Sequence, residues 1–483
     1  MSINTTIKTI QDIMRKDVGV DGDAQRISQI AWMLFLKILD DREAEYEVLD
    51  DGYRSPLPKR LRWRSWAADP EGMTGDTLLD FVNNELFPKL KDLPGDLQVN
   101  PRGFLIRQVF TDAFNYMKSG TLMRQVINKL LEIDFNRSED RHLFGDIYEK
   151  ILRDLQSAGN AGEYYTPRAV TQFIIDMLDP KLGESLLDPA CGTGGFLVCA
   201  IEHVRNKYVK TPADREVLQR SIRGVEKKPM PHLLATTNML LHGIEVPVQV
   251  RRDNTLSRPL RDYGPKDRVA VVSTNPPFGG VEEDGIETNF PATFRTRETA
   301  DLFLVLIMHL LKPGGRAGIV LPDGTLFGEG VKTRIKQQLL TEHNLHTIVR
   351  LPKGVFAPYT GIKTNLLFFE KGTATKDVWY FEHPYPEGYK SYSMTKPIRI
   401  EEFDLEKKWW RKRKESEHAW KVPVEQIQAS GYNLDIKNPN APDDGPGDPD
   451  ELLAEYKQLH TEVVRVREQL KNELMSALGG GRR

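Results

Sequence analysis

The 483-residue sequence predicts an α/β protein, with a helical N-terminal domain, a parallel sheet covered by helices on both faces, and a helical tail. Three observations carry that reading. From Ser185 to Phe369, short apolar β-branched runs alternate with helix-period stretches, as in a doubly wound sheet. Before about residue 155, apolar residues recur at helical spacing and strand-like alternation is scarce. After the sheet, a proline- and glycine-rich linker precedes a separate apolar seam. The divisions that follow are 1–155 (helical), 156–437 (sheet), 438–450 (linker) and 451–483 (tail helix).

Composition narrows the class. A hydrophobic content of 39% with 9% aromatics is ordinary for a globular protein, and the length demands more than one core. A net charge of -2 excludes binding to nucleic acid through bulk charge, so such contact must come from a local basic face or a partner. Cys191 and Cys199 are the only cysteines, which excludes a disulfide framework and a cysteine-rich zinc site, and no metal is expected. Lys8, Arg15 and Lys16 lack the following apolar core and cleavage site of a signal peptide. The apolar run Ile30 to Leu39 is too short to span a bilayer and is broken by Lys37. A soluble, cytoplasmic protein is expected.

In the first domain, Ile27, Ile30, Ala31, Leu34, Phe35 and Ile38 mark one helix, ended by the charged run Asp40 to Glu45. Further helices are predicted over Leu78 to Phe87 (stopped by Pro88), Gly103 to Met117, Leu122 to Ile133 and His142 to Leu155. Gly159-Asn160-Ala161-Gly162 reads as a flexible joint. In Glu163-Tyr164-Tyr165-Thr166-Pro167-Arg168, Thr166 reads as an N-cap and Pro167 as a first-turn proline, opening a helix over Ala169 to Leu178.

The sheet begins with Ser185 to Asp188. Its following loop, Pro189-Ala190-Cys191-Gly192-Thr193-Gly194-Gly195-Phe196, lets backbone approach a ligand and ends at a helix start with free N–H groups. It is neither a dinucleotide fingerprint nor a phosphate loop. Ile222 to Val225 leads to Glu226, the helix Pro231 to Leu241 follows, and Val248 to Val250 runs towards Asp253. Arg268 to Val272 is a strand ending in Ser273-Thr274-Asn275-Pro276-Pro277-Phe278. Its two prolines make a stiff corner. There an amide oxygen and a carbonyl oxygen can accept two hydrogen bonds from one amino group, beside a ring able to stack on a base. The remaining elements are a helix over Ala300 to Leu311, stopped by Lys312 to Gly315, a strand over Ala317 to Leu321, a helix over Val331 to Leu340, and strands over Thr347 to Leu351 and Asn365 to Phe369.

In such sheets ligands sit beyond the carboxyl ends of the strands. Asp188, Glu226, Asp253 and Asn275 all fall there. A carboxylate after a strand is often only a helix cap. Three around a glycine loop favour a ligand with a ribose and an amino group.

These residues carry a resemblance. Asp188 to Phe196 is similar to the S-adenosylmethionine (SAM) loop of amino-methylating DNA methyltransferases, and Asn275-Pro276-Pro277-Phe278 resembles their catalytic motif. Glu163 to Arg168 resembles the Tyr-Thr-Pro segment that completes the cofactor site in N6-adenine enzymes. The whole order, including Trp32 to Asp40 and Gly431 to Pro439, resembles the modification (M) subunit of type I restriction-modification systems. The resemblance implies a Rossmann-like SAM-dependent methyltransferase domain that transfers a methyl group to the N6 amine of a flipped adenine. Tyr164, Tyr165 and Thr166, with Gly192, Thr193, Gly194 and Gly195, would hold the methionine portion. Asp188 would orient its amino group or the loop, Glu226 would take the ribose hydroxyls, and Asp253 the adenine edge. Glu163, Pro167 and Arg168 complete the implied cofactor segment. Asn275, Pro276, Pro277 and Phe278 would hold and stack the target base. Cys191 reads as packing, and the Pro-Cys nucleophile motif of cytosine-5 enzymes is absent.

Two segments follow the sheet. Lys407 to Lys414 mixes cations with Trp409 and Trp410 and reads either as a phosphate track or as a solvated face flanked by Glu401, Glu402, Glu406, Glu415 and Glu417. In the tail, Leu452, Tyr456, Leu459, Val463, Val466, Leu470 and Leu474 form a narrow coiled-coil seam. The resemblance implies that it docks on a specificity (S) subunit, in a complex with double-stranded DNA, a second M subunit and a restriction (R) subunit. Three other readings stand beside this one: N4-cytosine methylation, glutamine methylation of release factors, and a non-catalytic scaffold that keeps a cofactor fold.

Overall fold

The computed structural model describes residues 3–133, 166–278, 280–357, 360–393, 395–440 and 449–479. The predicted helix His142 to Leu155, the joint at Gly159 to Gly162, and Glu163, Tyr164 and Tyr165 lie outside the described residues.

A nine-stranded sheet organises the chain, in the order β3-β2-β1-β4-β5-β7-β6-β8-β9. β1 is Leu186–Asp188, β2 Ile222–Glu226, β3 Val250–Arg252, β4 Val269–Thr274 and β5 Leu311–Pro322. β6 is His343–Arg350, β7 Thr364–Lys371, β8 Asp377–Glu382 and β9 Ala419–Pro423. The first five strands in space, β3 to β5, are parallel neighbours. The chain winds outward from β1 to β3, then restarts at β4 beside β1. That reversal makes the switch point at which such sheets bind ligands.

The orientation of the last strands, which the sequence leaves open, is mixed. β7 inserts between β5 and β6 antiparallel to both, and β9 is antiparallel to β8. Six consecutive buried residues, Thr364 to Phe369, hide the direction, because a strand covered on both faces reads the same either way. Its connection from β6 contains no described helix, whereas a parallel crossover usually has one. β5 also starts earlier than expected. Residues 312–315 bulge out of the β4 ladder, so Leu311 pairs with Val269 and Arg316 with Val271.

The N-terminal layer is helical, with two corrections. Pro88 does not end its helix: Gly75–Asp80 runs through a wide-turned stretch, Phe81–Leu86, into Phe87–Lys91. The widened turn accommodates a residue that lacks its N–H. The predicted Gly103 to Met117 helix is Pro101–Phe110, capped by the Asn100 side chain, and the chain beyond it has no regular secondary structure up to Ser119. There the buried Asp17 carboxylate accepts from the N–H groups of Lys118 and Ser119, both at 2.9 Å. Leu233, Leu234, Leu240 and Leu241, from the helix Pro229–Leu241, join the core built by residues 10–133. Arg252 pairs with Asp112 across the same junction.

The segment Lys407 to Lys414 is only in part a solvated face: Lys408, Arg411, Lys412 and Lys414 are exposed, whereas Lys407, Trp409, Trp410 and Arg413 are at least partly buried. Trp410 packs on Phe368 at 4.8 Å, Arg413 lies 4.8 Å over Trp410, and Lys407 pairs with Asp176 at 2.8 Å. Glu406 is fully buried and bonded to His383 at 2.5 Å. Asn438 and Asn440 are pinned to the sheet domain through Glu417 and Ser416 carbonyls. The tail is one helix, Pro449–Gly479, in which Leu453, Tyr456, Leu459, Val463, Val466 and Leu470 are each at least half exposed. No described helix is long and apolar enough to cross a membrane.

Candidate active site

β1 ends on Asp188, fully buried, whose Oδ1 accepts from Thr274 Oγ1 at 2.6 Å and from the Ala190 N–H at 3.1 Å. Burial is the largest influence on this carboxyl and pushes its pKa up to about 7. The loop after it turns on Gly192 and Gly194, with φ of 52° and 84°, a region that glycine enters without strain. A Cβ at Gly192 would meet no protein atom within 4 Å, so a side chain there would fill the space left for a ligand. Asn238 supports the loop by donating to the Thr193 carbonyl at 3.1 Å. Cys191 is buried, with its pKa raised well above a normal thiol by that burial, which agrees with a packing role.

Glu226 ends β2 and is oriented by backbone. Its Oε2 accepts from the Gly192 N–H at 2.9 Å and its Oε1 from the Lys228 N–H at 2.7 Å. The Asp253 N–H donates to the Glu226 carbonyl at 3.0 Å, and its side chain is exposed. Asn275 follows β4. Its Nδ2 donates to Thr166 Oγ1 at 2.9 Å, and its Oδ1 is buried without a hydrogen-bond partner.

Two adjoining cavities collect these groups. The larger, about 310 Å³, is lined by Gly192, Glu226, Asp253, Asn275, Pro276 and Pro277, among others. The smaller, about 60 Å³, is lined by Thr166, Asp188, Gly192, Thr193, Gly195 and Asn275, among others. Gly192, Ala190 and Asn275 belong to both. The acceptor set fits SAM: the oriented Glu226 carboxylate suits hydroxyls, the exposed Asp253 carboxylate suits an amine, and the Asn275 oxygen has no hydrogen-bond partner among the described residues.

Three expected details differ. Thr166 is not the N-cap: the cap position of the helix Arg168–Leu178 is Pro167, and the Thr166 hydroxyl faces Asn275 instead. Arg168 lines neither cavity; it donates to Glu202 at 2.6 Å and to the carbonyl of Gly195, which lines the smaller one, at 3.3 Å. Phe278 is 1% exposed, edge-on to Phe356 at 6.4 Å. Sequence reasoning missed Lys227, Thr255, Gly280 to Glu282, Thr299 and Phe303, which also line the larger cavity. Phe303 was legible only as one apolar residue among many in the helix Thr299–Leu310.

Comparison with known proteins identifies the family. Residues 139–445 match the family N-6 DNA Methylase, and residues 3–130 match the HsdM N-terminal domain. The chain is 62% identical to the type I restriction enzyme EcoEI methylase subunit of Escherichia coli, over 100% of this chain and 99% of that protein. A modification subunit of a putative type I restriction enzyme from Vibrio vulnificus YJ016 superposes with a TM-score of 0.83 at 46% identity, covering 91% of this chain and 97% of that one. A chain from a study of complex assembly and conformational transition of the type I R-M system gives 0.81 at 39% identity, covering 98% of each. The chain therefore belongs to the N-6 DNA methylase family, as an adenine-specific modification subunit of the type I restriction-modification systems.

Proposed function

We propose that the two adjoining cavities hold SAM on one side of Asn275 and receive a flipped adenine on the other. The observation that carries this reading is that Gly192, Glu226 and Asn275 line one cavity at the switch point between β1 and β4. Glu226 takes the ribose hydroxyls, Asp253 the adenine edge of the cofactor, and Gly192 to Gly195 the methionine portion. When bound, SAM supplies the methyl group.

The chain's own contribution is positioning. Adenine's amine conjugates into its ring and is a poor nucleophile. The Asn275 Oδ1 and the Pro276 carbonyl accept its two hydrogens and leave the nitrogen lone pair free, where orientation alone supplies about 7–11 kcal/mol. The methylated nitrogen carries a positive charge and sheds its proton readily, so no strong base is required. Extruding the base costs a few kcal/mol. Stacking on Phe278, worth about 1–3 kcal/mol, offsets part of that.

Site choice belongs to an S subunit docked on the exposed seam of Pro449–Gly479, which is consistent with the near-neutral chain. A second M subunit and an R subunit complete the assembly. Nucleoside mass spectrometry of DNA methylated by the chain with an S subunit tests the reading. N6-methyldeoxyadenosine is expected. N4-methyldeoxycytidine would move the assignment to the cytosine enzymes, and no methylated nucleoside would make the chain a scaffold.

A further inference from the structure

Asn275 is anchored from outside its own strand. Its amide nitrogen donates at 2.9 Å to the hydroxyl of Thr166, 109 positions earlier, and its oxygen is buried without a partner among the described residues. Both side chains line the smaller cavity. A primary amide has two orientations, and its neighbours select between them. We propose that Thr166 is a positioning residue: its hydroxyl takes the Asn275 NH2 group and thereby turns the amide oxygen toward the target amine. The inference deepens the proposed function and rests on Asn275 receiving that amine.

The selection follows from donor and acceptor counting. With the amide reversed, its NH2 would face the amine of the base, two donors would meet, and no bond would form. A hydroxyl by itself tolerates either orientation, since it can accept or donate. Once a donor amine arrives, only one arrangement satisfies both ends of the amide: nitrogen to Thr166, oxygen to the base.

The platform is stiff. Pro167 restricts the residue before it to extended backbone and begins the helix Arg168–Leu178, whose first side chain is tied to Glu202 at 2.6 Å. The Thr166 side chain makes no cap to its own helix, so its described hydrogen bond is spent on Asn275. This role differs from holding the methionine portion, and the two separate in kinetics.

The test compares wild type, Thr166→Val, Thr166→Ser and Asn275→Ala, each assembled with an S subunit. The readouts are SAM affinity by calorimetry and kcat at saturating SAM and DNA. Thr166→Val is expected to lower kcat by about 100-fold, the loss typical of a misplaced reacting group. SAM affinity should stay at the wild-type value, and Thr166→Ser should recover most of the rate. A wild-type kcat in Thr166→Val overturns the inference, whatever happens to SAM binding. So does a loss of SAM affinity equal to the loss of rate, or a Thr166→Ser variant as slow as Thr166→Val. Asn275→Ala separates the levels: if it is inactive while Thr166→Val is not, only this inference fails, and if it is active, the parent reading fails too.

Discussion

The Thr274 hydroxyl donates to Asp188 at 2.6 Å, which fastens the residue before Asn275 to the carboxylate ending β1. Both side chains are buried, so the bond is shielded from water. It couples the strand that leads to Asn275 to the glycine loop that lines both cavities. Thr274→Val leaves Asp188 with one fewer donor and should destabilise the protein by about 1–3 kcal/mol. Thr274→Ser should retain most of that stability. Urea denaturation of the three proteins measures it.

A second prediction concerns pH. Burial raises the Asp188 pKa from the ordinary carboxylate range to about 7. A raised folded-state pKa means that the contribution of this group to stability is fully present below its unfolded pKa and is lost as pH rises through about 7. Asp188→Asn is neutral at every pH, so it should gain stability relative to wild type as pH rises from about 4 to 8. Paired thermal melts across that window provide the check. A difference that does not change with pH would mean that Asp188 is already ionised at low pH.

Much of this site is legible in the sequence, for identifiable reasons. Asp188, Glu226 and Asn275 each stand at or just past the end of a short strand, and parallel strands bring such ends to one edge. The direction of β7 is less legible, because Thr364 to Phe369 is buried on both faces and leaves no alternation to read. Trp409, Trp410 and Glu406 misled for a related reason. A cationic run looks solvated throughout, yet Arg413 covers the ring of Trp410 and the buried Glu406 is hydrogen-bonded to His383. The role of Thr166 depends on a contact across 109 positions, which no local pattern encodes.

Glu226 yields a prediction on cofactor binding. Backbone N–H groups already hold both its oxygens at 2.9 and 2.7 Å, so its remaining lone pairs are pre-aimed. Glu226→Ala should weaken SAM binding by about 1.5–3 kcal/mol, the range for hydrogen bonds to a charged group. Glu226→Gln, with one oxygen kept, should lie between. Calorimetric titration of SAM into each protein decides the order.

The tail helix gives a prediction on assembly. Leu459 and Val463 are 55% and 63% exposed, four positions apart on the seam. Replacing both with Asp should abolish association with the S subunit and leave SAM affinity intact, because the seam is remote in sequence from every residue lining the cavities. Native mass spectrometry of the mixed subunits reads the first outcome and calorimetry the second. An intact complex would place the docking surface elsewhere.

The most direct measurement is transfer of a tritiated methyl group from SAM to DNA by Asn275→Ala and Phe278→Ala beside wild type, with SAM binding measured on the same samples. The account predicts that both variants bind SAM as wild type does and that Asn275→Ala transfers methyl at least about 100-fold more slowly. Transfer at the wild-type rate by Asn275→Ala would contradict it.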